Sequence, residues 1–76
     1  MDTQKLIYFI AAVKHLNFTK AANECHIAQT AMSRYISSLE RELGFQLFYR
    51  DNRNVSLTAA GESFYQEAVL LTEGLE

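Results

Sequence analysis

Thr30, Arg34, Ser37 and Arg41 recur at steps of four, three and four, the spacing of one face of an α-helix. Gln29 opens that face, and Ser33 and Ser38 flank it. Amide, hydroxyl and guanidinium groups are hydrogen-bonding groups, and no base stands at the spacing that would turn a hydroxyl here into a nucleophile. Such a set suits contact with hydrogen-bonding edges and negative charge. On the other side of the same helix Met32, Ile36, Leu39 and Leu43 make an apolar stripe at the same period. This segment therefore has one side to bury and one to present. Signs of catalysis are missing: no paired carboxylates in a cleft-forming pattern, no glycine-rich phosphate loop, no nucleophile–base pair. Ser33 and His26 lie seven apart with no orienting acid. His15, His26 and Cys25 are not at metal-ligand spacing. Cys25 has no second cysteine to pair with and reads as a core thiol. No enzyme activity, metal or cofactor is expected.

The elements that must hold this face follow from local signals. Residues 3–15 form a first helix with Leu6, Phe9, Ile10 and Val13 as its stripe, capped by Asp2 or Thr3. "HLNF" connects it to a second helix near 19–25, for which Asn17 or Thr19 is the cap. Ala21 and Ala22 in that helix permit close approach of a neighbour, as a tight helix pair requires. "HIA", 26–28, is a turn, and the two-faced helix runs from about 29 to 43 and stops at Gly44. Beyond it "FQLFYR" and "NVSL" are short runs rich in aromatic and β-branched residues, separated by the turn "DNRN". They form a β-hairpin. Thr58 opens a last helix with a main stripe of Phe64, Ala68, Leu71 and Leu75. Tyr65, Val69 and Thr72 make a second stripe about 100° away, which points to packing on something outside the domain. The fold class expected is mostly α: a winged helix-turn-helix of three helices and a two-stranded hairpin wing, followed by a further helix. In that arrangement the second helix of the pair is the one that enters a DNA major groove.

Bulk properties bound this reading. A chain of 76 residues makes one small domain, and one cysteine excludes an internal disulfide. No run of about 18 apolar residues exists for a membrane span. The N-terminus reads as a mature start and the compartment as cytoplasm. Net charge is −2, against the basic balance usual for nucleic-acid binding. The distribution answers the objection. Residues 1–53 hold all seven Lys and Arg against five acids, whereas Glu62, Glu67, Glu73 and Glu76 lie beyond, with no base among them. The field depends on where charge sits.

Five landmarks in order, "FTKAA" (18–22), "QTAMSRYI" (29–36), "LERELG" (39–44), "LFYR" (47–50) and "LTAAG" (57–61), resemble the DNA-binding domain of LysR-type transcriptional regulators. The resemblance covers essentially the whole chain. It implies a winged helix-turn-helix over 1–58, with the helix-turn-helix at about 18–37 and the wing at about 46–57. It implies that residues 59–76 begin a linker helix that dimerises. A small-molecule effector would be sensed by a C-terminal domain absent from this chain. The pattern differs at Asn17, Cys25, Thr30 and Tyr35, where serine, leucine, proline or serine, and glutamine or another polar residue are usual.

The expected partner is double-stranded DNA carrying an inverted repeat, bound by a homodimer. Gln29 can bind adenine through two hydrogen bonds, and Thr30 can meet a thymine methyl or a base acceptor. Ser33 can reach a base or a close phosphate, and Arg34 a guanine or a phosphate. Ser37 lies further along the same face. Thr19 and Lys20 are placed to grip backbone. Arg53, at the hairpin tip, can enter a narrow minor groove. Arg50 supports the hairpin and the backbone contact. Arg41, flanked by Glu40 and Glu42, reads as surface pairing. Tyr65, Val69 and Thr72 are the expected dimer face. The alternative is a winged helix that associates with protein and leaves its polar face to solvent.

Overall fold

Asp2 adopts an extended backbone, and its carboxylate accepts the Lys5 amide at 2.9 Å, so α1 (Thr3–His15) begins at its expected cap. A computed structural model describes residues 2–51 and 54–73. Leu16 closes α1 in the left-handed region at φ 48°, and this bend delivers Asn17 as the next cap. The Asn17 side chain accepts the Lys20 amide at 2.9 Å and opens α2 (Phe18–Glu24), one residue earlier than the pattern indicated. Phe18 thereby becomes a helical core residue. Ala21 and Ala22 are fully buried. A turn through His26, at φ 59°, leads into α3 (Gln29–Leu43). Met32, Ile36 and Leu39 of α3 are completely enclosed, as the apolar stripe requires. Gly44 ends the helix at φ 83°, a conformation that glycine takes without penalty.

The wing pairs β1 (Phe48–Arg50) antiparallel with β2 (Val55–Leu57), with Phe48 opposite Leu57 and Arg50 opposite Val55. Its turn is closed from both sides. The Asp51 amide donates to the Asn54 carbonyl at 3.0 Å, and the Asn54 amide donates to the Asp51 carboxylate at 2.6 Å. Thr58 then caps α4 (Ala59–Thr72), accepting the Gly61 amide at 2.8 Å.

The core is built around Phe9 on α1. Its ring meets Phe48 of the wing at 5.7 Å, Phe64 of α4 at 5.3 Å and Tyr65 at 6.3 Å. Phe18 stands edge-on to Phe48 at 5.5 Å. One aromatic cluster thus fixes the wing to α1 and α2 and fixes α4 to α1, each such contact adding roughly 0.5–1.5 kcal/mol to simple burial.

One part of the α4 pattern is corrected. Leu71, expected on the buried stripe, is 60% exposed, and neighbouring Leu70 is 67% exposed. Ala68 is the last buried position described on α4, so the stripe outruns the body it packs on. Tyr65, on the second stripe, is half-buried against the core through Phe9. Leu75 lies outside the described residues.

Candidate nucleic-acid interface

The start of α2, the start of α3 and the wing converge on one concavity of about 320 Å³. Thr19, Gln29, Ser33 and Arg50 line it, four residues singled out from sequence on three different elements. Asn17 and Asn54 line it as well. Their local signals are those of a cap and a turn residue, and nothing in them announces a position beside Gln29. Within the concavity, Gln29 Nε2 donates to Ser33 Oγ at 3.1 Å. That bond joins residues one helical turn apart and holds the amide against the helix wall.

Thr30, Arg34 and Ser37 are exposed on the outward side of α3. Lys20 is exposed on α2. Ala28, at the N-cap of α3, supplies no side-chain acceptor. The first amides of α3 therefore face outward without a side-chain cap, the arrangement that favours an anion at a helix N-terminus. Arg53, expected at the wing tip, lies outside the described residues.

Arg50 is held on two sides. Its Nη2 donates to Glu40 Oε1 at 3.0 Å, and its guanidinium carbon lies 5.3 Å from the Phe18 ring centre. Glu40 is the functional residue that sequence reasoning missed. Its other oxygen accepts the backbone amides of Leu47 at 2.7 Å and Phe48 at 3.3 Å. A single carboxylate on α3 thus anchors the first strand of the wing. The expected pairing of Glu40 and Glu42 with Arg41 is corrected accordingly. Glu40 is used by the wing, and Glu42 pairs with Lys5 of α1. The residue spacing along α3 showed these charges as neighbours. It could not show that the carboxylates turn toward other elements.

Residues 3–62 match the family described as bacterial regulatory helix-turn-helix protein, lysR family. The chain belongs to the lysR family. It is 45% identical to the Hca operon transcriptional activator HcaR of Escherichia coli (strain K12) over 76 residues, all of this chain and 26% of that protein. It is equally identical to the HTH-type transcriptional regulator BenM of Acinetobacter baylyi, again along its full length and over 25% of that protein. The chain thus spans about a quarter of the length of these curated relatives. Among solved structures, the BenM_DBD/benA site 1 DNA complex superposes with a TM-score of 0.92 at 45% identity, covering 99% of this chain and 84% of that one. The CbnR_DBD–DNA complex superposes at 0.93 with 37% identity, covering 96% and 84%. The mostly helical fold with a two-stranded wing is therefore that of the lysR family.

Titration in this lysR-family domain is perturbed away from the concavity. A hydrogen bond from His15, and then one from Lys14, holds the Glu24 carboxyl low and ties the end of α1 to the end of α2. Burial pushes the Cys25 thiol up, which keeps it protonated, in keeping with a packing role. The Glu42 carboxyl is lowered to about 2, and the hydrogen bond from Lys5 is the largest of several causes. A carboxylate held below its unfolded value of 4.5 stabilises the folded chain above that pH and gives up the contribution as pH falls toward 2. A carbon-detected NMR titration should accordingly find the Glu42 midpoint near 2 and, in Lys5→Ala, return it toward the ordinary range. A Glu42 midpoint unmoved by that substitution contradicts the assignment.

Proposed function

We propose that this domain binds double-stranded DNA sequence-specifically and serves a transcriptional regulator. In this reading α3 enters the major groove with Gln29, Thr30, Ser33 and Arg34 toward base edges and Ser37 further along. Thr19 and Lys20 grip the backbone. Arg50 braces the wing, and Arg53 reaches into the minor groove. The observation that carries it is the concavity where Thr19, Gln29, Ser33 and Arg50 meet beside an uncapped helix N-terminus. Relatives described as DNA complexes support it. Residues 1–58 are the DNA-binding unit, with the helix-turn-helix at 18–37 and the wing at 46–57. Residues 59–76 are the linker that forms a homodimer through Tyr65, Val69 and Thr72, next to the exposed Leu70 and Leu71. A small-molecule effector acts through a domain outside these residues. The role is regulatory, not catalytic, and cytoplasmic.

The test is titration against a duplex carrying an inverted repeat, drawn from selection out of a random pool, at several salt concentrations. Six to ten phosphate contacts predict a loss of roughly three to five decades in affinity between about 50 and 200 mM salt. Two chains per repeat are expected at saturation. Arg34→Ala should cost about 1–3 kcal/mol on the selected site and relax discrimination at one base position. A flat salt response from the folded chain would sink the proposal and favour the protein-association reading.

A further inference from the structure

Arg34 and Arg41 stand two helical turns apart on α3, roughly 10 Å along its axis. Both line a second cleft, of about 450 Å³, together with Lys5, Ala31, Tyr35 and Ser38. This cleft lies between the start of α1 and the outward side of α3, and no wing residue lines it. Its charge is not what the residue order suggests. Glu40 is directed to the Leu47 and Phe48 amides and to Arg50. Glu42 is held by Lys5 of α1. The two carboxylates next to Arg41 are therefore engaged by other elements, and neither pairs with Arg41 among the described residues. Lys5 Nζ also donates to Ser38 Oγ at 2.9 Å, so the Ser38 hydroxyl proton is free to donate into the cleft. The result is two exposed guanidinium groups with a hydroxyl between them on one side of the helix that carries the reading residues.

We propose that this cleft is a second anion site, which takes a phosphodiester of the DNA backbone flanking the groove occupied by the start of α3. The inference rests on the DNA-binding reading above. Arg41 is its anchor, with Ser38 as a supporting donor. Lys5 is a positioning residue that keeps Glu42 off Arg41. A backbone contact positions the protein and carries no sequence information, so the site affects all duplexes alike.

The experiment compares the wild-type 76-residue chain with Arg41→Ala, Arg34→Ala and Lys14→Ala, each against the selected duplex and a random duplex over a salt series. Lys14 is an exposed cation paired with Glu24 at the α1–α2 junction and controls for overall charge. Arg41→Ala should lower the slope of log affinity against log salt by about 0.9 and weaken both duplexes roughly five- to ten-fold at about 0.1 M salt. Lys14→Ala should leave the slope unchanged. An unchanged slope in Arg41→Ala overturns the proposal, as does an equal loss in Lys14→Ala. If the wild-type chain itself shows no salt dependence, the DNA-binding reading fails first. If it binds and Arg34→Ala loses discrimination while Arg41→Ala is silent, only the second site fails.

Discussion

Gly61→Ala should destabilise the domain by about 2–3 kcal/mol, although alanine normally stabilises a helix relative to glycine by up to about 1 kcal/mol. A Cβ at position 61 would stand 2.2 Å from the Leu47 carbonyl oxygen, 2.9 Å from Leu57 Cδ1 and 3.1 Å from the Leu47 carbonyl carbon. The nearest obstacle is backbone, and it cannot swing away. The Leu47 carbonyl accepts the Thr58 amide at 3.0 Å and lies 3.3 Å from the Thr58 hydroxyl, whose shorter bond goes to Gln46. Thr58 in turn caps α4 through the Gly61 amide. Relief of the clash therefore breaks the junction of wing and α4. Overpacking costs roughly 1–3 kcal/mol and a lost hydrogen bond about 1 kcal/mol, which together outweigh the helix-propensity gain. Natural domains hold roughly 0.05–0.15 kcal/mol per residue, so the loss is a large share of the total. Gly44→Ala is the matched comparison. Nothing lies within 4 Å of its added Cβ, and only the φ of 83° opposes it, at about 1–2 kcal/mol. Urea unfolding of the two variants gives the order. If Gly61→Ala proves as stable as wild type, the close approach to Leu47 does not govern the junction.

That junction marks where the amino-acid sequence could be read and where it could not. Helix positions were legible because their signals are local. The stripes through Phe9 and Ile36, the caps Asp2, Asn17 and Thr58, and the stop at Gly44 each depend on a few neighbouring residues. The α3 face was legible for the same reason, since an uninterrupted helix fixes which residues point together. Interactions between elements were not legible. "LTAAG" is recognisable as a motif, but its glycine is required by a carbonyl fourteen residues earlier. Glu40 was read as the neighbour of Arg41, because residue order shows that pair and hides the strand that competes for it. Leu71 was placed on a buried stripe by period alone, and period does not report where the opposing surface ends.

Glu40 is also where the second large effect is expected. Its carboxylate is only 10% exposed and serves three donors on the wing, whereas the Arg50 side chain is 34% exposed. Glu40→Ala removes the acceptor from two backbone amides at the entry to β1 and leaves Arg50 without its partner. Hydrogen bonds to a charged group contribute about 1.5–3 kcal/mol each when well made, and the exposure of Arg50 lowers its share. A loss of about 2–4 kcal/mol is expected. Glu40→Gln keeps one acceptor oxygen and should lose roughly half as much. Arg50→Ala leaves both amide bonds intact and should cost about 1 kcal/mol, part of it from the Phe18 contact. The expected order of stability loss, Ala at 40, then Gln at 40, then Ala at 50, separates the amide anchor from the ion pair. Hydrogen exchange supplies the direct readout, because Leu47 and Phe48 amides should lose protection in Glu40→Ala and keep it in Arg50→Ala. Equal losses in Glu40→Ala and Arg50→Ala, with the two amides still protected, would mean that the ion pair and not the backbone anchor holds the wing. If the anchor holds, a single side chain makes the wing a rigid extension of α3. On the proposed function, Glu40→Gln at low temperature should then weaken DNA binding while Gln29 and Arg34 remain in place.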